Sequence, residues 1–180
     1  MFVSIFFHVL AHIAVYVFFS LYLDSLGYRK TTIGLLWAVS VVLEIGWFFM
    51  QGRWMPLLSL SAWLVLASAL VTVRMALTAG WPTVWPLLVV AQMLHAITFA
   101  THHTACVALI SHHFPGRLRG RGQALYTVIG YGVPGVLGGL GGGAISSWLG
   151  LSAVFWGATL AGLVATACAM QARKLTHRHG

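Results

Sequence analysis

Six long apolar runs separated by short polar breaks organise this chain. They cover Phe2 to Leu26, Thr32 to Met50, Leu57 to Ala79, Val84 to His112, Gln123 to Ile145 and Leu149 to Ala172. Each is near the roughly 20 apolar residues that a helix needs to cross a bilayer core. The breaks are Gly27-Tyr28-Arg29-Lys30, Gln51 to Pro56, Gly80-Trp81-Pro82 and Phe114 to Gly122. The last is the longest, and its Pro and Gly residues suit a turn. The pattern predicts an all-α integral membrane protein, with six transmembrane helices over residues 1–172 and a basic tail over 173–180. That tail is expected to fray. Trp37, Trp54, Trp81, Trp85 and Trp148 fall near span ends, where an amphipathic ring prefers the headgroup level.

Composition sharpens the exclusion. The 180 residues carry ten Lys or Arg and two Asp or Glu, so 7% are charged. An average soluble domain has roughly 25%, and so few charges could not cover a water-exposed surface. A cytosolic enzyme, a disordered chain and a disulfide scaffold are excluded together. The net charge of +8 does not point to nucleic acid, because the basic residues sit in the gaps between apolar runs. Cys106 and Cys168 lie in apolar runs without metal spacing. The first run is too long for a cleaved signal peptide, and no basic residues precede it.

Loop charge sets an expected orientation. Arg29 and Lys30 fall on one side. Arg53, Arg117, Arg119, Arg121, Arg173, Lys174 and Arg178 fall on the other, which the positive-inside rule assigns to the cytoplasm. Both termini are then cytoplasmic. His112, His113, His177 and His179 belong to that surface as solvated side chains.

The fifth run is glycine-rich. Gly135, Gly139 and Gly143 are four apart, which predicts a smooth face for close helix packing. Gly130 to Gly135 also spells GxGxxG, but no strand precedes it and no acidic residue follows at the ribose-binding distance. Pro134, inside this run, predicts a kink.

Ionisable groups within the hydrocarbon are costly, so each is a candidate for function. Glu44 is the only carboxylate deep in a run, about 18 Å from the outer end at 1.5 Å per residue. His95 lies about 16 Å deep and Arg74 about 8 Å, with a long side chain that reaches inward. A carboxylate, an imidazole and a guanidinium can therefore meet near the midplane. Loss of water and the approach of a guanidinium act in opposite senses on a carboxyl proton, so a moving partner could switch Glu44. Gln92, His95, Phe99, His102 and Cys106 recur at helical spacing, with Thr98 beside them, and suggest a cavity lining. His8 and His12, four apart, suit a cavity wall or helix contact better than a metal site, because no third ligand is near in sequence. Asp24, near a span end, reads as solvated. No HExxH, P-loop, nucleophile elbow or catalytic carboxylate pair nominates an enzyme.

The run His12-x-x-x-Tyr16, Tyr22, Gly27-Tyr28, Gly34-x-Leu36-Trp37 and Val41-Val42-x-Glu44 resembles the seventh and eighth helices of the phenylpropionate permease family. That family belongs to the major facilitator superfamily, near the lactose permease group. Val73-Arg74 falls where its ninth helix carries Arg. Ala91-Gln92-x-Leu94-His95-x-x-Thr98-Phe99-x-x-x-His103 resembles its tenth, and Arg119-x-x-x-Gln123-Ala124-x-Tyr126 opens the counterpart of its eleventh. The resemblance covers almost the whole chain. It implies the second six-helix half of a secondary active transporter in a bacterial inner membrane, with a missing N-terminal half as partner. It further implies symport of a small solute with protons as coupling ion and no other cofactor. In lactose permease relatives the carboxylate, Arg and His corresponding to Glu44, Arg74 and His95 belong to the coupling and sugar site. Those relatives carry a second carboxylate where Thr98 stands here. The phenylpropionate group shares the Thr, which favours an aromatic or other organic acid. His12, Tyr16, Gln92, Thr98, Phe99, His102 and His103 are the expected substrate cavity. The alternative is a truncated half that folds or assembles without transporting.

Overall fold

The computed structural model describes residues 1–178, with side chains as far as Leu175; His179 and the side chain of His177 lie outside the described residues. All six expected spans are helices long and apolar enough to cross a membrane: α1 (Phe2–Ser25), α2 (Lys30–Leu57), α3 (Leu60–Gly80), α4 (Trp85–His113), α5 (Gly116–Leu149) and α6, apolar over Leu151–Leu175. No strand occurs among the described residues. Tight turns join neighbouring helices. Gly27 and Gly150, at φ 83° and 85°, occupy the left-handed region that reverses the chain after α1 and α5. The Ser59 hydroxyl caps α3 by accepting from the Ala62 N–H at 3.2 Å.

Several boundaries differ from the sequence expectation, each for a local reason. α2 runs past Met50 because Gln51 is held within the bundle, its Oε1 accepting from the Thr104 hydroxyl at 2.9 Å. The helix tightens into a 3₁₀ turn only at Met55–Leu57, around Pro56. The Phe114 to Gly122 stretch is not one long turn. A 3₁₀ turn covers Gly116–Leu118 and an α-helix begins at Arg119. Gly122 lies on that helix, where a Cβ would come 2.7 Å from Phe114 Cγ. The glycine thus makes room for a partly buried ring and does not serve as a chain reversal. The tail continues α6 as helix to Arg178 and is not frayed over that length.

Three helices contain a π-helical turn: Ala14–Phe18 in α1, Ala96–Thr101 in α4 and Val128–Gly132 in α5. The α5 turn ends immediately before the helix that carries Pro134 in its first turn. The missing proline N–H therefore falls where the hydrogen-bond ladder is already interrupted.

Two apolar clusters fill the bundle. One lies toward the end formed by the first and third turns and includes Phe18, Phe19, Val71, Met75 and Phe155. The other, toward the opposite end, includes Ile5, Val9, Trp63, Cys106, Ile110 and Tyr126. Buried polar side chains, His8, His12, Ser68, Arg74, Gln92, His95, Thr98 and His102, belong to neither cluster. The most extensive helix contact is α3 on α6. α6 also buries a stripe of small side chains, Ala158, Ala161, Ala165 and Ala169. At Gly162 a Cβ would sit 3.0 Å from Thr72 Cα, so the backbones approach closely.

The expected packing face of α5 is corrected. A Cβ at Gly135, Gly139 or Gly143 would meet nothing within 4 Å. The close approaches are at Gly138, 2.8 Å from Ile13, and Gly142, 2.5 Å from the Phe18 ring. These face α1, which rotates the contact by about 100° per residue from the stripe picked out by the four-residue spacing.

Candidate functional site

The buried polar side chains converge from four helices. Arg74 on α3 is fully buried. Its Nη1 donates to His95 Nδ1 at 2.8 Å, and its Nη2 donates to Gln92 Oε1 at 3.1 Å. The Ser40 hydroxyl on α2 donates to the same Gln92 oxygen at 2.6 Å. His95 Nε2 lies 3.1 Å from Glu44 Oε2. Since a guanidinium can only donate, Nδ1 of His95 is the acceptor and the proton of the neutral ring is on Nε2, facing the carboxylate. Arg74 and Glu44 are thus connected through an imidazole, in the order guanidinium, His95, carboxylate.

Two further imidazoles lie beside this chain. His8 Nε2 donates to the Thr98 carbonyl at 2.8 Å, leaving Nδ1 to accept from the Ser68 hydroxyl at 3.3 Å. The Thr98 carbonyl lies in the π turn of α4. His12 Nδ1 donates to the His8 carbonyl at 3.2 Å. His12 Nε2 and Arg74 Nε are buried without a hydrogen-bond partner. The His8 and His102 rings stack with centroids 3.5 Å apart.

An aromatic shelf covers the polar centre. The Tyr16 ring is 41% exposed and meets His95 and Phe99 edge-on, at 6.2 and 6.4 Å. Phe99 stacks on His95 at 5.3 Å and on His103 at 6.1 Å. Trp37 stacks on Tyr16 at 6.4 Å, and its Nε1 donates to Ser20 Oγ at 3.0 Å. Trp37 is therefore part of this shelf, and it also lies beside Asp24 and Lys30 at the span ends. His103 Nδ1 lies 3.1 Å from the Tyr126 hydroxyl and 3.2 Å from that of Tyr131.

The structure brings Glu44, Arg74 and His95 into one hydrogen-bonded chain. It divides the expected cavity residues into two layers. Tyr16, Phe99 and His103 form the partly exposed layer, while His12, Gln92, Thr98 and His102 are each no more than 2% exposed. Thr98 and His102 therefore do not line an open cavity. The Thr98 hydroxyl turns back to the His95 carbonyl at 3.4 Å, and His102 lies against Cys106 Sγ at 3.7 Å. The cause is the π turn, whose extra residue shifts the register of α4 so that Phe99 and His103 turn outward. Ser40, Ser68 and Tyr131 were missed by sequence reasoning. Serines in apolar runs are common; Ser40 lies one turn before Glu44 on the same helix face, whereas Ser68, six residues before Arg74, carried no such signal.

Six helices long and apolar enough to cross a membrane, packed around a polar centre, define a multi-pass membrane protein. The chain belongs to the MFS_1 like family, whose profile matches residues 1–156. It is 30% identical over 155 residues to the "Probable 3-phenylpropionic acid transporter" of Escherichia coli (strain K12), an alignment covering 86% of this chain and 40% of that protein. The chain thus spans less than half the length of this curated relative. No solved structure matches it significantly.

Proposed function

We propose that the chain forms one six-helix half of a proton-coupled secondary active transporter, in which Glu44 takes up and releases the coupling proton. Arg74 and His95 bias the charge state of Glu44 through the imidazole that joins them. The bundle pairs with a second six-helix half, and the solute passes between the two halves near the midplane. Tyr16, Phe99 and His103 present the aromatic surface to that solute, with Arg74 and Gln92 behind them. An organic acid with an apolar body fits such a surface, and the name of the Escherichia coli relative supports an aromatic acid. The observation that carries the reading is the buried Arg74–His95–Glu44 chain. Its carboxylate is the partly exposed end, with 21% of the side chain accessible. Glu44 is therefore the member of the chain open to proton exchange, while its charge is felt by a guanidinium fixed in the core.

The test is Glu44→Gln in the assembled transporter containing both halves. Uphill accumulation of 3-phenylpropionate driven by a pH gradient should be lost. Exchange of labelled for unlabelled substrate should persist in part, because exchange needs no net proton release. A variant that accumulates substrate against a gradient as well as the parent makes Glu44 structural.

A further inference from the structure

The geometry assigns a binding site for an anionic phospholipid to a pocket at the end of the bundle where α1, α3, α4 and α6 meet, away from the Glu44 centre. This site does not depend on the transport reading. The pocket has a volume of about 380 Å³. Its walls are apolar, formed by Leu60 and Leu64 of α3, Leu109 of α4 and Ala169 of α6, and its rim carries His112, His113 and Arg173.

Three observations select the ligand. First, the walls offer contact to hydrocarbon and almost no hydrogen bonding. Ser4, a polar wall residue, already donates its hydroxyl to the Ala165 carbonyl at 2.9 Å. Second, no acidic side chain faces the Arg173 guanidinium among the described residues. The chain has two acidic side chains, Asp24 and Glu44, and neither lines the pocket. The only acid–base pair among the described residues joins Glu44 to His95. Third, the pocket is shallow and terminal. Leu60 and Leu64 lie in the first turns of α3, and Leu109 lies one turn before the end of α4. That depth matches the boundary between headgroups and acyl chains, where basic pockets between helices hold lipid phosphates. The ring of His113 is fixed at the rim by an Nδ1 donation to the Leu109 carbonyl at 2.7 Å. An acyl chain in the pocket with its phosphate against Arg173 satisfies both the apolar wall and the cationic rim.

The experiment is native mass spectrometry of the purified chain after equilibration with mixed vesicles of phosphatidylglycerol and phosphatidylcholine. Parallel arms contain palmitate or inorganic phosphate. Phosphatidylglycerol should be retained in preference to phosphatidylcholine, and free phosphate should not be retained. Arg173→Gln, on an exposed site, should lower phosphatidylglycerol retention by about fivefold, the effect of one basic side chain near an anionic surface. Leu109→Trp should lower retention of both lipids by filling the pocket. Melting curves identify any variant that has lost its fold; if Leu109→Trp has, Ser61→Trp replaces it on the opposite wall. Equal retention of the two phospholipids overturns the proposal. So does unchanged retention in Arg173→Gln, or retention of palmitate alone.

Discussion

At the scale of single residues, the centre depends on the shape of one side chain. Arg74 reaches two acceptors with two nitrogens, His95 Nδ1 and Gln92 Oε1, in a site that water does not reach. A lysine keeps the charge but is a point donor on a flexible stem and cannot hold both acceptors in the fork geometry. Arg74→Lys should therefore lower stability by about 1–3 kcal/mol, the cost of a buried polar group left unsatisfied. The readout is thermal melting in detergent, and a melting curve equal to the parent's would show that the fork is not what holds the centre. Glu44, Arg74 and His95 were legible in sequence because ionisable residues inside apolar runs are few. Their order was not legible. The depth estimate allowed a direct Arg74–Glu44 pair, and only the side-chain geometry puts His95 between them. The outward turn of Phe99 and His103, and the burial of Thr98 and His102, were likewise hidden, since a π turn leaves no mark in apolar periodicity.

At the scale of helices, apolar run length located all six spans because each must bury or dissolve its backbone in hydrocarbon. Their ends were less legible. Polar residues such as Gln51 can continue a helix when a partner inside the bundle satisfies them, and Gly122 can lie within one where it makes room for the Phe114 ring. Glycine spacing was a poor guide to packing for a related reason. A small residue permits a close approach, but the neighbour decides whether one occurs. In α6 the approach is made by Gly162 against the Thr72 backbone, within a stripe of alanines that attracted no notice beside the glycines of α5. Gly162→Ala should destabilise the bundle by about 1–3 kcal/mol, the range for overpacking a filled core. Gly139→Ala, with nothing within 4 Å of the added carbon, should leave stability within about 0.5 kcal/mol of the parent or slightly above it. The comparison is made on melting curves of the two variants in the same detergent. The reverse ranking would show that α5 packs on the Gly135, Gly139, Gly143 face.

At the scale of the whole molecule, α2 and α5 are the least covered helices, each with 17% of its most apolar window buried. Phe49 on α2 and Leu140 on α5 are 87% and 73% exposed. Such faces require an apolar partner, lipid or protein. The two ends of the bundle differ in charge. Arg29 and Lys30 lie at the end where the Tyr28 hydroxyl donates to the Pro82 carbonyl at 2.9 Å, joining the first and third turns. The pocket rim at the other end brings Met1, His112 and Arg173 together, and the segment carrying Arg117, Arg119 and Arg121 begins four residues after His113. Insertion retains basic loops in the cytoplasm, so the second end should face inward and both ends of the chain should be cytoplasmic. A cysteine placed at Arg29 in intact cells should react with a membrane-impermeant maleimide, and one placed at Arg119 should react only after the membrane is opened. Cys168 is partly exposed and is first replaced by Ser, while Cys106 is buried and can stay. Labelling of the Arg119 position from outside, with the Arg29 position protected, would reverse the orientation. It would also move the phospholipid pocket to the outer leaflet, since the pocket and the Arg117 to Arg121 segment occupy the same end of the bundle.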